Sequence, residues 1–351
     1  MDEPEVARRV EAILADFVIR QAESAAARGL PNQAPLVLGD FLAAGGKRIR
    51  PLLCVLGWHA AGARGNADAA LQVAASLEMF HAFALIHDDI MDRSATRRGR
   101  PTVHRALAAD HAHGRSAAAA DHLGEAGAIL VGDFALAWAD ELLHTARLSP
   151  GQLWRVLPLM DDMRGEVLYG QYLDITVTGT RSHEHAVLLR IIRYKTAKYT
   201  CERPLHIGAA LAGTDEQLLC ALSDFALPLG EAFQLRDDLL GVFGNVQETG
   251  KPALDDLREG KQTVLVALAL AQAPRAQAGQ LRQFLGCPTL TEEQAAGAWR
   301  IITASAAPRR IEDMIRERYD QALSALGTAP IPIEVRERLR ALADGAVWRT
   351  T

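Results

Sequence analysis

The chain has 351 residues, of which 49% are hydrophobic and 23% are charged, and its formal net charge at pH 7 is −5. This composition supplies enough apolar side chain for a sizeable core and excludes a chain that is disordered because of its composition. The nearly balanced charge argues against a protein that binds nucleic acid through bulk positive charge, so we expect no nucleic-acid partner.

The four cysteines are widely spaced and form no CxxC pair, a pattern that indicates neither a disulfide framework nor a structural zinc site. The first residues, MDEPEV, are acidic and do not lead into an apolar stretch as a secretory signal does. The longest apolar runs, such as residues 264–271, fall far short of the roughly 20 residues that cross a bilayer. We therefore expect a cytoplasmic protein without a membrane span.

Apolar residues recur at three- and four-residue spacing along the chain, for example at Val6, Val10, Leu14 and Phe17. This is the period of an amphipathic helix, and alternating β-branched and polar residues are nearly absent. No segment reads as a linker that is long enough to separate domains. The sequence predicts an all-α protein with one domain over residues 1–351, in which the alanine-rich residues 106–128 form a loop between frayed helices.

A first acidic cluster, HDDIMD, places Asp88, Asp89 and Asp92 at the end of an apolar run. On a helix Asp88 and Asp92 share one face a turn apart, where like charges repel unless a cation is present. Carboxylate oxygens suit Mg²⁺, which bridges to substrate phosphates. A solvated helix end is an equally good explanation of an isolated cluster. The acid pairs at 161–162 and 255–256 close no apolar stripe, and we interpret them as solvated.

Basic residues accompany this cluster on both sides in the chain. Arg97 and Arg98 follow in the glycine- and proline-containing segment RRGRPTVH, and guanidinium groups suit phosphate oxygens. Lys47 and Arg50 precede it in GGKRIRP, where two glycines allow a close backbone turn. Together these segments predict an anion site beside a metal site.

A second acidic cluster, FQLRDDLLG, contains Asp237 and Asp238, with Gln234 one turn earlier. Two lysines follow it, Lys251 in a GK pair and Lys261 at the end of DDLREGK. Acids followed by lysines again suggest phosphate that is bound through a metal ion.

The segments GGKRIRP, HDDIMD with RRGRPTVH, GQYLD, YKTAKYT and FQLRDD with GK and DLREGK resemble the trans-isoprenyl diphosphate synthases, or polyprenyl synthetases. Their order and spacing agree with that family over about residues 38–268. The resemblance implies a large helical bundle around a central cavity, the isoprenoid synthase type I fold, with both acidic motifs at its mouth. It also implies a homodimer.

The resemblance further implies a Mg²⁺-dependent prenyltransferase that condenses isopentenyl diphosphate head to tail with an allylic diphosphate. In that reaction the allylic substrate loses diphosphate to give a carbocation, so metal and basic side chains must stabilise the leaving group. No nucleophilic side chain is needed. The substrates are thus expected to be isopentenyl diphosphate and the dimethylallyl, geranyl or farnesyl diphosphate.

Carried over position by position, the resemblance assigns residues to three tasks. Mg²⁺ would be bound by Asp88, Asp92 and Asp237, supported by Asp89 and Asp238. The allylic diphosphate would be held by Arg97, Lys195 and Lys261, with Thr196, Gln234 and Lys251 nearby. Isopentenyl diphosphate would be held without metal by Lys47, Arg50, His81 and Arg98. The catalytic group among these comprises Asp88, Asp92, Asp237, Lys195 and Arg97.

Histidine alone gives a weaker signal. His81 lies two helical turns before Asp88, on the face where a ligand would sit, although a lone histidine on an apolar helix is more often a core residue. The other histidines, including the pairs His111/His113 and His183/His185, lack a further zinc-ligand signature and are expected at the surface.

The second acidic motif departs from the family pattern, because Gly241 stands where many relatives carry a third aspartate. Weaker metal binding there, or compensation by Asp238, is expected to leave the enzyme active.

The length of the product is expected to depend on side chains below the first acidic motif, namely Phe80, Phe83 and Ala84. The pairing of one aromatic residue, Phe83, with the small Ala84 resembles the pairing at these positions in enzymes that make C20 geranylgeranyl diphosphate. The alternative product is C15 farnesyl diphosphate. A class I terpene cyclase and a non-catalytic synthase subunit are less favoured alternatives. The cyclase needs no second diphosphate site, whereas the subunit usually lacks acids of the metal motifs.

Overall fold

The computed structural model describes residues 3–178, 185–244, 257, 260–287 and 289–348. These residues are predominantly helical, which confirms the predicted all-α class. In chain order the helices are α1 (Glu3–Ala27), α2 (Gln33–Ala43), α3 (Ile49–Ala60), α4 (Ala67–Met91), α5 (Val103–Asp110), α6 (Ala117–His144), α7 (Pro150–Val177), α8 (His185–Ile191), a π-helix (Ile192–Glu202), α9 (Arg203–Ala212), α10 (Glu216–Phe243), α11 (Val264–Gln272), α12 (Arg275–Phe284), α13 (Glu292–Ala304), α14 (Ala307–Thr328) and α15 (Ile333–Val347).

Two short strands follow α4. β1 (Thr96–Arg97) pairs antiparallel with β2 (Arg100–Pro101), so that Arg97 stands opposite Arg100. The turn between them is tight because Arg98 and Gly99 both have positive φ, at 53° and 73°. The hairpin presents the arginines of RRGRP next to the end of α4.

The chain divides into two compact units. The first comprises Met1–Val156 and Ile207–Gly213, and the second comprises Leu157–His206 and Thr214–Thr351. The single domain expected over residues 1–351 stays a prediction.

Helix α4 is the core helix of the first unit. It packs against α6 and α3, and its buried residues occur all around its circumference, as expected for a helix that is apolar on every side. By length and composition α4 and α10 could each cross a membrane, but 78% of the apolar window of α4 is buried within the protein, against 44% for α10.

The alanine-rich segment 106–128 differs from its prediction as a loop. Helix α5 extends to Asp110, and α6 begins at Ala117 after a short turn. Ser116 caps α6 because its side chain accepts a hydrogen bond from the backbone N–H of Ala119. The high helix propensity of alanine then outweighs the low sequence complexity.

Two histidines that were expected at the surface, His104 and His206, are buried. Burial lowers the pKa of His104, with the positive charge of Arg105 acting in the same direction. Burial also lowers the pKa of His206, whose Nε2 lies 3.0 Å from the carbonyl oxygen of Leu219. The surface prediction was wrong for both residues because each occupies the inner face of its helix.

In the second unit, α10 packs against the π-helix and α14. Arg236, one residue before the second acidic pair, donates two hydrogen bonds of 2.7 Å to the carboxylate of Glu312 on α14. Its Nε donates to the backbone oxygen of Val347 at the end of α15. The C-terminal helices, which carry no motif, therefore anchor the helix that bears Asp237 and Asp238.

Candidate active site

The first acidic motif lies at the C-terminal end of α4. Asp92 is the C-cap, and its backbone N–H donates to the carbonyl oxygen of Asp88 at 2.8 Å. Asp88 and Asp92 are partly exposed on the same face, one turn apart, as predicted from their spacing. Asp89 is different, since only 1% of its surface is exposed.

Asp89 accepts two hydrogen bonds from Arg97 of β1. Arg97 Nε lies 2.8 Å from Oδ2, and Nη2 lies 2.7 Å from Oδ1. The same Nη2 lies 3.7 Å from Asp88 Oδ2. Burial by itself would lower the pKa of Arg97, but these acidic partners outweigh burial and raise it. The guanidinium is thus held charged beside the partly exposed acids Asp88 and Asp92.

The GGKRIRP segment forms the loop before α3. Its backbone is left-handed at Gly45 and Gly46, with φ of 82° and 154°. A Cβ on Gly46 would lie 2.8 Å from Nη2 of Arg98, so glycine allows the Arg98 guanidinium to lie against the loop. Lys47 is exposed in this loop, and Arg50 follows in the first turn of α3.

His81 lies within the electrostatic range of these cations. Burial lowers its pKa well below the ordinary value, and Arg50, Arg97 and Arg98 lower it further in that order. The imidazole is therefore neutral at pH 7. The structure brings the predicted isopentenyl diphosphate residues Arg50, His81 and Arg98 into one cationic cluster of the first unit.

The second unit contains a small pocket of about 60 Å³ near the second acidic motif. Five residues predicted to bind the allylic diphosphate or the metal line it, namely Lys195, Thr196, Gln234, Asp238 and Lys261. Inside the pocket, Thr196 Oγ1 donates to Gln234 Oε1 at 2.7 Å, and Gln234 Nε2 donates to Asp238 Oδ1 at 2.9 Å. Residues from three separate sequence segments thus meet in one site.

Asp174 also lines this pocket, and no role was assigned to it from the sequence. Its Oδ2 lies 2.6 Å from Nζ of Lys195, and its side chain is largely buried. The signal was present in the sequence, because Asp174 is the acid of the GQYLD segment. It lay 21 residues from its lysine, a separation that spacing rules within one helix do not cover.

Lys195 and Thr196 belong to the π-helix, which fits tightly between two glycines. A Cβ on Gly170 of α7 would lie 2.5 Å from the backbone nitrogen of Lys195. A Cβ on Gly230 of α10 would lie 2.4 Å from Cα of Ala197. Both distances exclude a larger side chain unless the backbone moves, so the glycines fix the position of the segment that carries Lys195. Helical turns with i→i+5 hydrogen bonds are rare, and those that occur lie frequently at functional sites.

The other acidic and basic residues that were considered in the sequence differ in their exposure. Asp237 is partly exposed on α10, while its neighbour Asp238 is buried. Gly241 lies one turn after Asp237 in the same helix. Lys251 and the acid pair 255–256 lie outside the described residues. The acid pair 161–162 is exposed, as expected for solvated side chains.

The three residues predicted to control product length lie on α4 below Asp88. Phe80 is fully buried and Phe83 nearly so, whereas Ala84 is partly exposed. The Phe83 ring lies 5.2 Å from the ring of Phe80 and 4.8 Å from that of His87. Phe80 and Ala84 share the stripe of Asp88, and Phe83 lies beside it.

A family model for polyprenyl synthetases matches residues 36–302. The chain belongs to the polyprenyl synthetase family. Curated relatives agree with this assignment. The geranylfarnesyl diphosphate synthase of Aeropyrum pernix is 34% identical over 88% of this chain and 92% of its own length. The farnesyl diphosphate synthase of Geobacillus stearothermophilus is 36% identical over 69% of this chain and 77% of its own length.

A solved structure supports the same family assignment. The geranylgeranyl pyrophosphate synthase of Corynebacterium glutamicum, complexed with isoprenyl diphosphate and magnesium, has a TM-score of 0.95 and 42% identity, covering 99% of this chain and 100% of that one. The resemblance inferred from the motifs and the isoprenoid synthase fold are both confirmed. The chain is a prenyltransferase of the group that makes short to medium prenyl diphosphates.

The family is Mg²⁺-dependent, and the partly exposed acids of the first motif fit such an ion. Asp88 and Asp92 offer hard oxygen donors from one helical face. Within the described residues, no group of three or more histidine, cysteine, aspartate or glutamate side chains forms a ready-made metal cage. Mg²⁺ usually keeps several waters and is bound by one or two carboxylates together with substrate phosphates.

Proposed function

We propose that the chain is a geranylgeranyl diphosphate synthase, which condenses isopentenyl diphosphate head to tail with the dimethylallyl, geranyl or farnesyl diphosphate. The observation that carries this proposal is the presence of two distinct basic clusters. One contains Arg50, His81 and Arg98 in the first unit, and the other contains Lys195 and Lys261 in the second unit. Two substrates that each carry a diphosphate require two such clusters, whereas a terpene cyclase requires one.

In the proposed reaction Lys195, Lys261 and Arg97 hold the allylic diphosphate while its bond to the prenyl carbon breaks. Thr196 and Gln234 position its oxygens within the pocket. Asp88, Asp92 and Asp237 would hold Mg²⁺, which would supply charge that stabilises the departing diphosphate. The protein contributes orientation and a water-poor surrounding for the carbocation.

Lys47, Arg50, His81 and Arg98 hold isopentenyl diphosphate so that its double bond attacks the cation. Because burial keeps His81 neutral, it can donate a hydrogen bond to phosphate without adding a further charge to the arginine cluster. The proton released after attack goes to the departing diphosphate. No side chain of this chain needs to act as a nucleophile.

The C20 product is supported by the pairing of a buried Phe83 with the small, partly exposed Ala84 on α4. A structural neighbour named as a geranylgeranyl pyrophosphate synthase supports it as well. The C15 product is the second candidate, because a relative that covers most of the chain is named as a farnesyl diphosphate synthase.

We further propose that the enzyme is a homodimer of the cytoplasm. Helix α6 exposes Ile129, Leu130 and Phe134, and α7 exposes a stripe that includes Leu168 and Tyr172. Such apolar surfaces support association with a second copy. The four cysteines, all of which lie among the described residues, form no disulfide bond with one another, which supports a reducing compartment.

The purified chain, incubated with Mg²⁺, isopentenyl diphosphate and each allylic primer, tests this function when the products are dephosphorylated and sized. We expect a linear C20 alcohol. Asp88→Asn should reduce turnover by about 100-fold or more, because a metal-binding carboxylate is lost. Asp161→Asn, which changes an exposed acid of the same kind, should not. A C15 alcohol would identify the alternative synthase, a cyclic hydrocarbon a cyclase, and no product with any primer a non-catalytic subunit.

A further inference from the structure

Arg48 is the one residue of the KRIR run whose side chain turns fully into the protein. Its side chain is 5% exposed, whereas its neighbour Lys47 is exposed and Arg50 is partly exposed. The guanidinium donates from Nη1 to Glu78 Oε1 at 2.5 Å and from Nη2 to the backbone oxygen of Leu42 at 2.6 Å. Nε donates to Glu11 Oε1 at 3.2 Å. One side chain thus joins the loop to α4, to the end of α2 and to α1.

Glu78 is an unusual residue in its position. It lies in the middle of α4, where most of the neighbouring residues are apolar, and its side chain is 5% exposed. Removing two charges from water is expensive, and a buried ion pair often contributes little net stability compared with apolar residues of similar size. A buried pair at this place therefore calls for a role other than stability.

The loop that Arg48 anchors is strained. Gly45 and Gly46 have positive φ, and so does Arg48, at 46°. The left-handed region is unfavourable for a residue with a Cβ, and such conformations persist only where the surroundings fix them. The three hydrogen-bond partners of the guanidinium supply that fixation. Without them the loop loses the contacts that hold Arg48 left-handed.

The anchored loop carries the proposed ligands of isopentenyl diphosphate. Lys47 immediately precedes Arg48, and Arg50 follows it by two residues. The Arg98 guanidinium lies against Gly46 of the same loop. On α4, His81 lies one turn after Glu78, so the acid that receives Arg48 is on the same helix as the fourth ligand.

We propose that Arg48 and Glu78 form a positioning pair that holds residues 45–50 in the conformation that binds isopentenyl diphosphate. Neither residue touches the substrate. This inference rests on the proposed function, because it takes Lys47, Arg50, His81 and Arg98 as the ligands of that substrate.

The test compares the whole enzyme with Arg48→Lys, Arg48→Met and the double variant Arg48→Met/Glu78→Met. The double variant removes the pair without leaving a buried unpaired charge, so it covers the case in which Arg48→Met fails to fold. Arg9→Met is the matched control, because Arg9 also forms an ion pair with α4, to Asp68, but at the surface with side chains 32% and 78% exposed. Three quantities are measured: the Kd of isopentenyl diphosphate without metal, the KM of each substrate, and hydrogen exchange in residues 43–50.

We expect Arg48→Met and the double variant to raise both the Kd and the KM of isopentenyl diphosphate about tenfold or more, since small displacements of ligating groups are costly. The KM of the allylic substrate should change less than about twofold, because none of its proposed ligands lies within residues 45–50. Amide exchange in residues 43–50 should increase. Arg48→Lys should restore part of the affinity, and Arg9→Met should match the wild type.

Equal losses for both substrates, or faster exchange in the loop with an unchanged Kd, would overturn the positioning role. So would unchanged exchange in a folded double variant. A wild-type enzyme that does not bind isopentenyl diphosphate would overturn the proposed function itself, and this inference with it. The wild-type measurement therefore separates the two failures.

Discussion

Asp89 and Arg97 form a bidentate pair in which both carboxylate oxygens of the buried acid face the guanidinium, at 2.8 and 2.7 Å. The two acids that share the exposed face of α4, Asp88 and Asp92, are turned away from Asp89 by the helical pitch. The first acidic motif therefore contains two kinds of carboxylate. Asp88 and Asp92 are partly exposed, whereas Asp89 is buried and accepts two hydrogen bonds from Arg97.

Asp89→Asn tests this division. Removing one partner of a buried pair leaves the other charge uncompensated, so we expect a loss of about 3 kcal/mol in the free energy of unfolding. Because Arg97 loses its orientation, the KM of the allylic substrate should also rise. Asp121→Asn, which breaks the exposed pair with Arg105, should cost less than about 1 kcal/mol in denaturant unfolding experiments. A stable Asp89→Asn enzyme that instead needs much more Mg²⁺ would make Asp89 a metal ligand.

Gly170→Ala tests the fit of the π-helix against α7. The added Cβ would lie 2.5 Å from the nitrogen of Lys195, so the backbone that carries this lysine must move. We expect a destabilisation of about 1–3 kcal/mol together with a loss of turnover. Gly165→Ala is the control in the same helix, since nothing lies within 4 Å of its Cβ. It should stabilise the protein by about 0.5–1 kcal/mol. The same result from both variants would contradict the argument.

Phe83→Ala tests the limit on product length. Removal of the ring should let the prenyl chain grow beyond C20, because the space below Ala84 would open. Phe80→Ala is the comparison, since Phe80 lies on the stripe of Asp88 about 12 Å down the helix axis. Both products are sized after dephosphorylation, and thermal unfolding verifies that each variant is folded. If only Phe80→Ala gave longer products, Phe80 and not Phe83 would be the residue that limits product length.

Stability should fall as the pH falls below about 6.5. Burial lowers the pKa of His81, His104 and His206 in the folded protein, so the unfolded chain takes up protons that the folded chain does not. The contribution is fully present above the ordinary histidine pKa and decreases by up to about 1.4 kcal/mol per pH unit for each residue below it. Urea unfolding at pH 7.5 and 5.5 measures the slope. His206→Gln should reduce it, and the exposed His122→Gln serves as the control. A slope that His206→Gln leaves unchanged would exclude His206 as a contributor.

The sequence predicted those parts of the site that depend on local periodicity. Asp88 and Asp92 share a face because residues that are four apart in an α-helix lie on the same side of it. The partners of Lys195 and Thr196 could not be found in this way, since Asp174 and Gln234 come from two other helices. The burial of the Arg48 side chain could not be predicted from the sequence, because an arginine in a basic run is ordinarily solvated. The burial of His206 could not be predicted either, since burial depends on tertiary packing and not on local sequence.

The π-helix has a consequence for how the chain can change in evolution. Hydrogen bonds that run from i to i+5 give each turn of this segment more residues than the 3.6 of an α-helix, so deleting one residue between Ile192 and Glu202 would shift the later side chains of the segment relative to the earlier ones. Lys195 would then lose its register with Thr200 and the residues beyond. Insertions and deletions should be rare in these eleven residues, even where substitutions are tolerated.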